Sequence, residues 1–279
     1  MEWYRKAAAK DYASAQYNLG FCYRNGFGVT KDDKQGVEWY TKAAKQGNTS
    51  AQRRLADCYY YGYGVTKDYN QALDWYRKVA EKGNAYAQYK IGYCYRWGNG
   101  VTKDDSLAVL WYTKAAEQGY VKAQYNLGVS YSRGSGVAID YNKAEQWYRK
   151  AADQGDISGQ FGLGWCYQYG YGVEKDDEKA VEWYTKAAEQ GQKDAQNNLG
   201  NHYSAGKGVK KDDKQAVYWY KKSAEQGNID AQRNLGARYR SGTGVTRNID
   251  QAVYWLKKAA DGGNQSAKDD LEKMGIKYP

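Results

Sequence analysis

The chain repeats itself every 36 residues without one insertion or deletion, and that leaves it few folds to choose from. The pair Ala15-Gln16 returns at 51, 87, 123, 195 and 231, with Gly-Gln at 159 and Ala-Lys at 267. Trp3 returns as Trp39, Trp75, Trp111, Trp147, Trp183, Trp219 and Trp255. A strict period of this length specifies stacked supersecondary units, each burying its apolar face against its neighbours. The expected fold class is therefore all-α, a solenoid of 36-residue helix-turn-helix repeats. One array is expected over residues 1–279. It holds a partial repeat at 1–14 (helix B only), seven full repeats over 15–266 and a polar, solvated capping half-repeat at 267–279.

Residues 15–50 show how one unit is written. Ala15, Leu19, Cys22 and Tyr23 fall on one stripe of an α-helix, which the spacing predicts over about 14–25. Gly26 stands where a left-handed C-terminal cap is expected, and Gly28 lets the chain turn back. Asp32 offers an N-cap, with Gln35 three residues on as the second half of a capping box. Helix B then runs over about 33–46 with Gly36, Trp39, Tyr40, Ala43 and Ala44 on one stripe, and Gly47 ends it. Lys42 and Lys45 suit the negative end of its dipole. The Gly-x-Gly-Val turn is a helix stop rather than a phosphate cradle. It recurs seven times and lacks a following Lys-Ser/Thr.

The pattern Ala15-Gln16-x-x-Leu19-Gly20-x-x-Tyr23-x-x-Gly26-x-Gly28-Val29, followed by Asp32, Trp39-Tyr40-x-Lys42-Ala43-Ala44 and Gly47, resembles the Sel1-like repeat (SLR) family. That family is related to the tetratricopeptide repeat, whose motif has 34 residues and a terminal proline. The resemblance implies a right-handed α/α superhelix with helix A lining the concave face, and a role as adaptor or scaffold in protein complexes. One bacterial subgroup pairs two cysteines within each repeat and is reported to bind penicillin-type compounds. This chain has at most one cysteine per repeat, so that activity is not carried over.

Cys22, Cys58, Cys94 and Cys166 share one register, with Ser130, His202 and Arg238 in their place elsewhere. Equivalent residues of stacked helices lie roughly 8–10 Å or more apart. A disulfide needs Cα atoms within about 7 Å. The thiols are therefore expected to be free and half-buried, which fits a reducing compartment. The same distance argues against zinc between Cys166 and His202, and no further ligand spacing stands out. With a single histidine there is no nucleophile–base constellation to assemble. No catalytic residue, cofactor or metal site is expected, and the chain reads as no enzyme.

Function then rests on what differs between repeats. The helix A columns beside the Leu19/Tyr23 stripe supply the candidate groove: Tyr17, Phe21 and Arg24; Arg53, Tyr60 and Tyr61; Tyr89, Tyr93, Arg96 and Trp97; Tyr125 and Arg133; Phe161, Trp165 and Tyr169. The last two repeats carry mostly Asn, Ser, Ala and Arg there. Arginine with tyrosine and tryptophan is the composition of interface hot spots. Two readings fit: a groove for a protein or peptide segment, or aromatic filling of a crowded inner curve with arginine stacked over it.

A net charge of +10 permits an acidic partner. A binder of single-stranded nucleic acid or an anionic glycan would use the same aromatic platforms. The irregular column at 17/53/89/125 gives no base code, which disfavours nucleic acid. An engineered or consensus-derived array is a third reading. The lack of indels favours it, and Gly36 and Gly162 inside helices disfavour it, since each costs about 1 kcal/mol. The sequence shows no signal peptide and no apolar run long enough to span a bilayer. The N-terminal helix, with Trp3, Tyr4, Ala7 and Ala8, is the candidate surface for self-association.

Overall fold

The structure, a computed structural model, describes residues 2–277. Among these residues there are sixteen α-helices and no strand. They fall into two compact units, residues 1–139 and 140–279. The first holds α1 (Glu2–Ala9), α2 (Ala13–Asn25), α3 (Asp33–Lys45), α4 (Thr49–Tyr61), α5 (Tyr69–Ala80), α6 (Ala85–Trp97), α7 (Asp105–Glu117) and α8 (Val121–Arg133). The second holds α9 (Tyr141–Asp153), α10 (Ile157–Tyr169), α11 (Asp177–Glu189), α12 (Lys193–Ala205), α13 (Asp213–Glu225), α14 (Ile229–Ser241), α15 (Ile249–Asp261) and α16 (Gln265–Lys273). Even-numbered helices are of A type and odd-numbered ones of B type. Within each unit every A helix packs on the B helix before it and, except for the last A helix of the unit, on the one after it.

The capping chemistry sets these helix ends. Gly26 closes α2 in the left-handed region at φ 72°, donating its amide to the Cys22 carbonyl. The Asp32 carboxylate then accepts the Gln35 amide and opens α3. The return half of a capping box is not formed. The Asp32 amide instead donates to the Tyr23 carbonyl at 2.9 Å, and Asp68, Asp104, Asp176, Asp212 and Asn248 repeat that bond to Tyr59, Tyr95, Tyr167, Tyr203 and Tyr239. The loop folds back on helix A closely enough to satisfy the N-cap amide there, so the glutamine side chain has no orphan donor to reach.

The core of each layer is a tyrosine set against a small residue. Tyr40, Tyr76, Tyr112 and Tyr184 are fully buried. A Cβ on Gly20, Gly92 or Gly164 would come within 2.8 Å of the facing tyrosine ring, so glycine there lets the two helices close up. The two glycines that stand out in the sequence have the same kind of cause. A Cβ on Gly36 would strike the Arg24 stem at 2.5 Å, and one on Gly162 the Tyr148 ring at 2.8 Å.

The repeated glutamine binds one layer to the next. Gln52, Gln88, Gln124, Gln196 and Gln232 are buried, and each donates its side-chain amide to an alanine carbonyl at the end of the preceding B helix. Gln118 and Gln226 then donate to the side-chain oxygens of Gln88 and Gln196 at 2.7 and 2.8 Å. Both polar ends are satisfied, which is what makes a buried amide tolerable. On the B helices each tryptophan carries a lysine one turn on. The ammonium lies over the ring at 4.2 Å for Lys42/Trp39, 4.1 Å for Lys150/Trp147 and 3.8 Å for Lys186/Trp183.

All four cysteines are free, and they are buried rather than half-buried. The C-terminal helix α16 also differs from a fully solvated cap. Its Asp270 is buried and pairs with Arg233 at 3.2 Å and Arg240 at 3.0 Å.

Candidate functional site

The A helices of the unit 1–139 present three clefts that share walls. The first, about 250 Å³, lies between Phe21, Arg24 and Asn25 of α2 and Arg54, Asp57 and Tyr61 of α4, with Tyr40 and Tyr63. The second, about 400 Å³, is walled by Tyr60, Tyr61, Tyr86, Tyr89 and Tyr93 and holds Lys90, with Tyr120 and Lys122 at its side. The third, about 240 Å³, takes Tyr89, Tyr93, Arg96 and Trp97 of α6 and Tyr125, Asn126 and Arg133 of α8. Tyr61 separates the first two; Tyr89 and Tyr93 separate the second from the third.

Most of the candidate residues of this unit come together here. Trp97 and Tyr61 are the exposed rings, at 62% and 47%. Tyr93 leans on Trp97 at 6.1 Å and on Tyr89 at 6.2 Å between centroids. Tyr60 is buried behind Tyr61, edge-on at 4.8 Å. Tyr17 and Phe21 are half-buried, packing on Tyr40 and Phe27 at 5.8 Å. Tyr17 does not line the clefts. Arg53 lies over the Tyr86 ring at 5.4 Å.

In the unit 140–279, Phe161 packs on the buried Tyr184. Trp165 and Tyr169 form a separate aromatic platform with Tyr141 and Tyr171, whose rings stack at 4.3 Å. Tyr169 also borders a polar cleft of about 250 Å³ holding Gln168, Asn198, Asn201 and His202. Much of that polarity is committed. Tyr184 donates to Gln168 Oε1 at 2.6 Å, Tyr220 to Asn201 Oδ1 at 2.7 Å, and His202 Nδ1 to the Lys207 carbonyl at 2.9 Å.

The arginines sort into two groups. Of the eight on A helices, five make ion pairs inside the fold: Arg24 with Asp33, Arg96 with Asp105, Arg238 with Asp213, and Arg233 and Arg240 with Asp270. Arg24 also donates to the Cys58 sulfur at 3.2 Å. Among the described residues no carboxylate pairs with Arg53, Arg54 or Arg133, and all three lie in the unit 1–139. Arg54 Nε is buried without an acceptor. Lys90 is 7% exposed, its ammonium 4.3 Å over the Tyr60 ring and donating to the Tyr61 hydroxyl at 2.6 Å.

Arg54, Lys90 and Tyr86 were missed by column reading. Their columns carry a signal all the same. Position 18 runs Asn18, Arg54, Lys90, Asn126, Gly162, Asn198, Asn234, and position 14 runs Ser14, Ser50, Tyr86, Lys122, Ser158, Asp194, Asp230. Both concentrate cations or aromatics in repeats two to four.

Burial pushes the tyrosine hydroxyls of the face up. Tyr60, Tyr76, Tyr86 and Tyr112 sit well above the ordinary value, and Tyr89 reaches about 12. They stay neutral donors at physiological pH. The thiols of Cys94 and Cys166 are pushed by burial up to about 12 as well, which removes them as nucleophiles. Among the described residues no three His, Cys, Asp or Glu side chains gather as a metal site, and no helix is long and apolar enough to cross a membrane.

The Sel1 repeat profile matches residues 1–12, 13–48, 49–84, 85–120, 121–156, 157–192, 193–228 and 229–264. The chain belongs to the Sel1 repeat family. It is similar to c5321, a protective antigen present in uropathogenic Escherichia coli strains that displays an SLR fold. Identity is 42% and the TM-score 0.92, over 98% of this chain and 59% of that one. This chain thus spans 59% of that relative's length. It is also similar to a Sel1 repeat protein from Oxalobacter formigenes, with 37% identity and a TM-score of 0.79 over 97% of this chain and 78% of that one. No curated protein matches the sequence. The fold is thus the all-helical, tetratricopeptide-like solenoid of Sel1 repeat proteins. Proteins of this family act in general as non-catalytic scaffolds for protein–protein interaction.

Proposed function

We propose that this Sel1 repeat chain is a non-catalytic scaffold that holds a protein segment along the A-helix face of residues 1–139. The observation that carries the reading is the sorting of the arginines. Where a guanidinium has an internal task, an aspartate is supplied for it. Arg53, Arg54 and Arg133 are left without one, beside tyrosine-walled clefts and an exposed Trp97. Large rigid rings with unpaired guanidinium groups between them are the anchors of protein interfaces, and the charge suits an acidic partner.

Selection from a random peptide library, followed by affinity measurement, tests it. The double variant Tyr93→Ala, Trp97→Ala, checked as folded by circular dichroism, is expected to lose about tenfold or more in affinity for selected peptides. Lys42→Ala is expected to change little, since Lys42 lies over Trp39 on a B helix. Full affinity in the double variant would leave the rings as structural filling. Tight, steeply salt-dependent binding of single-stranded nucleic acid with no peptide selected would overturn the reading in favour of that ligand. Trp3, 83% exposed, gives α1 an uncovered aromatic face that suits a second copy of the chain. Sedimentation of the chain against a Trp3→Ala, Tyr4→Ala variant tests that.

A further inference from the structure

We infer that the clefts of the unit 1–139 form a ladder of carboxylate subsites that reads an extended segment carrying Asp or Glu three residues apart at the Arg54 and Lys90 subsites. The inference rests on the groove reading and deepens it. Arg54 and Lys90 occupy one register 36 residues apart, so they recur one layer apart along the face. In the next layer that register holds Asn126, and the cation comes from Arg133, seven residues on along the same helix. Seven residues is two helical turns, so Asn126 and Arg133 line one cleft. Each of these three layers therefore offers at least one cation with no carboxylate partner among the described residues, and α4 offers Arg53 beside Arg54.

Two of these cations are held in environments that ask for an anion. Arg54 Nε is buried without an acceptor, and a buried donor left unpaired carries its full desolvation cost. Lys90 is buried among tyrosine rings and bonded to the Tyr61 hydroxyl. Ring faces attract an ammonium but bring no counter-charge. Asp57 is the one carboxylate lining these clefts, and it already accepts the hydroxyls of Tyr76 and Tyr86, both at 2.7 Å. A carboxylate entering from solvent would supply what the fold withholds, and the tyrosine walls would dry and strengthen the pair.

The spacing follows from geometry. Packed helices stand roughly 8–10 Å apart. An extended chain advances roughly 3.3 Å per residue. One layer thus corresponds to about three residues of ligand, so side chains at i and i+3 meet Arg54 and Lys90; Arg133, two turns or about 10 Å along its helix, lies about four residues further on. A helical ligand, rising about 1.5 Å per residue, would need about six residues per layer.

The test uses fluorescein-labelled peptides of about nine residues and the full chain, in about 150 mM salt. One peptide repeats Glu-Ser-Thr three times. A second has the same composition with its three glutamates contiguous. A third replaces glutamate by glutamine. The spaced peptide is expected to bind about tenfold tighter than the block isomer, and the glutamine peptide not at all. Arg54→Gln and Lys90→Gln are each expected to weaken the spaced peptide several-fold and leave the block isomer unchanged. The Arg54 Nε–H resonance should shift on adding the spaced peptide, which separates contact from loss of fold. Equal affinity of the spaced and block peptides overturns the ladder, because the cations then act as a diffuse field. Loss of selected-peptide binding in the Tyr93/Trp97 variant without any spacing preference sinks the ladder while the groove reading stands.

Discussion

Arg238 Nη1 lies 2.7 Å from Asp213 Oδ1, and in doing so it performs from the cysteine register a task done elsewhere from another position. In the first layer Asp33 is met by Arg24, nine residues before it, and in the third Asp105 is met by Arg96. There the facing cysteine-register residues are Cys58 and Ser130, both small. In the sixth layer the position equivalent to Arg24 is Ser204, and the guanidinium reaches back from Arg238 of the next layer, bonding Ser204 as well. One half-buried aspartate at the start of a B helix is thus neutralised by either of two registers, and the other register shrinks to make room.

Exchanging the two registers should preserve stability. Arg238→Cys alone leaves the half-buried Asp213 with only the exposed Lys211, 3.7 Å from its other oxygen, and is expected to cost about 1–2 kcal/mol. Adding Ser204→Arg rebuilds the arrangement of Arg24 and Cys58 and is expected to recover at least half of the loss. Urea midpoints followed by circular dichroism read both. A double variant no better than the single one means that the two registers are not interchangeable.

The glutamine column gives a sharper expectation. Gln196 donates to the Ala188 carbonyl at 3.0 Å and accepts from Gln226 at 2.8 Å. Replacement by leucine keeps the volume and removes both bonds, leaving the Ala188 carbonyl its bond from the Gly191 amide and Gln226 its bond to the Lys222 carbonyl. The expected cost of the two lost bonds is about 1–2 kcal/mol, against less than about 0.5 kcal/mol for an exposed control such as Glu189→Gln. Near-equal midpoints for the two would show that the column is a packing spacer.

How much of this was legible depends on how local the cause is. Helix ends were readable to within a residue or so, because Gly26 and Asp32 act on the backbone beside them. The expected helices over about 14–25 and 33–46 are found as Ala13–Asn25 and Asp33–Lys45. The task of Gln16 was not readable: a glutamine bonded to a carbonyl eight residues before it and a side chain thirty residues after it leaves only its recurrence in the sequence. The site was readable in part. Reading columns beside the Leu19 stripe found Tyr61, Tyr93 and Trp97. It passed over Arg54 and Lys90, because a cleft between two parallel helices draws on both flanks of the stripe. It also left open which arginines are committed, since that depends on aspartates at the start of the packed B helix.

Two glycines with similar crowding should respond differently to alanine. Gly200 is helical, and a Cβ there meets the Tyr220 ring at 2.7 Å, yet Ala56 occupies the equivalent place fully buried beside Tyr76. Ring adjustment and the better helix propensity of alanine should hold the cost of Gly200→Ala below about 1 kcal/mol. Gly100 has φ +71°, and its Cβ would meet the Tyr69 backbone at 2.8 Å. Backbone cannot step aside as a ring can, so Gly100→Ala is expected to cost about 2 kcal/mol or more. Equal urea midpoints for the two variants would contradict this.

Stability should fall on the alkaline side. The thiols of Cys94 and Cys166 and the hydroxyl of Tyr89 are raised to about 12 by burial, and Tyr76, Tyr112 and Tyr184 are raised further. In the unfolded chain a thiol ionises near about 8.5 and a tyrosine near about 10. Between those values and about 12 the unfolded state releases protons that the folded state keeps. A raised folded value contributes stability that is complete below the unfolded value and is lost as pH climbs through the folded one. Urea midpoints should therefore be level between about pH 7 and 8, then drop with increasing steepness above about pH 9. The two stages have different owners. Replacing Cys94 and Cys166 by serine, the residue already present and buried at Ser130, should flatten the curve from about pH 8.5 to 10 and leave the steeper tyrosine limb. A midpoint constant to about pH 10.5 would mean that these groups open to solvent in the native state. An unchanged early slope in the serine variant would assign it to groups other than these two thiols, Cys58 among them, since burial raises that thiol as well.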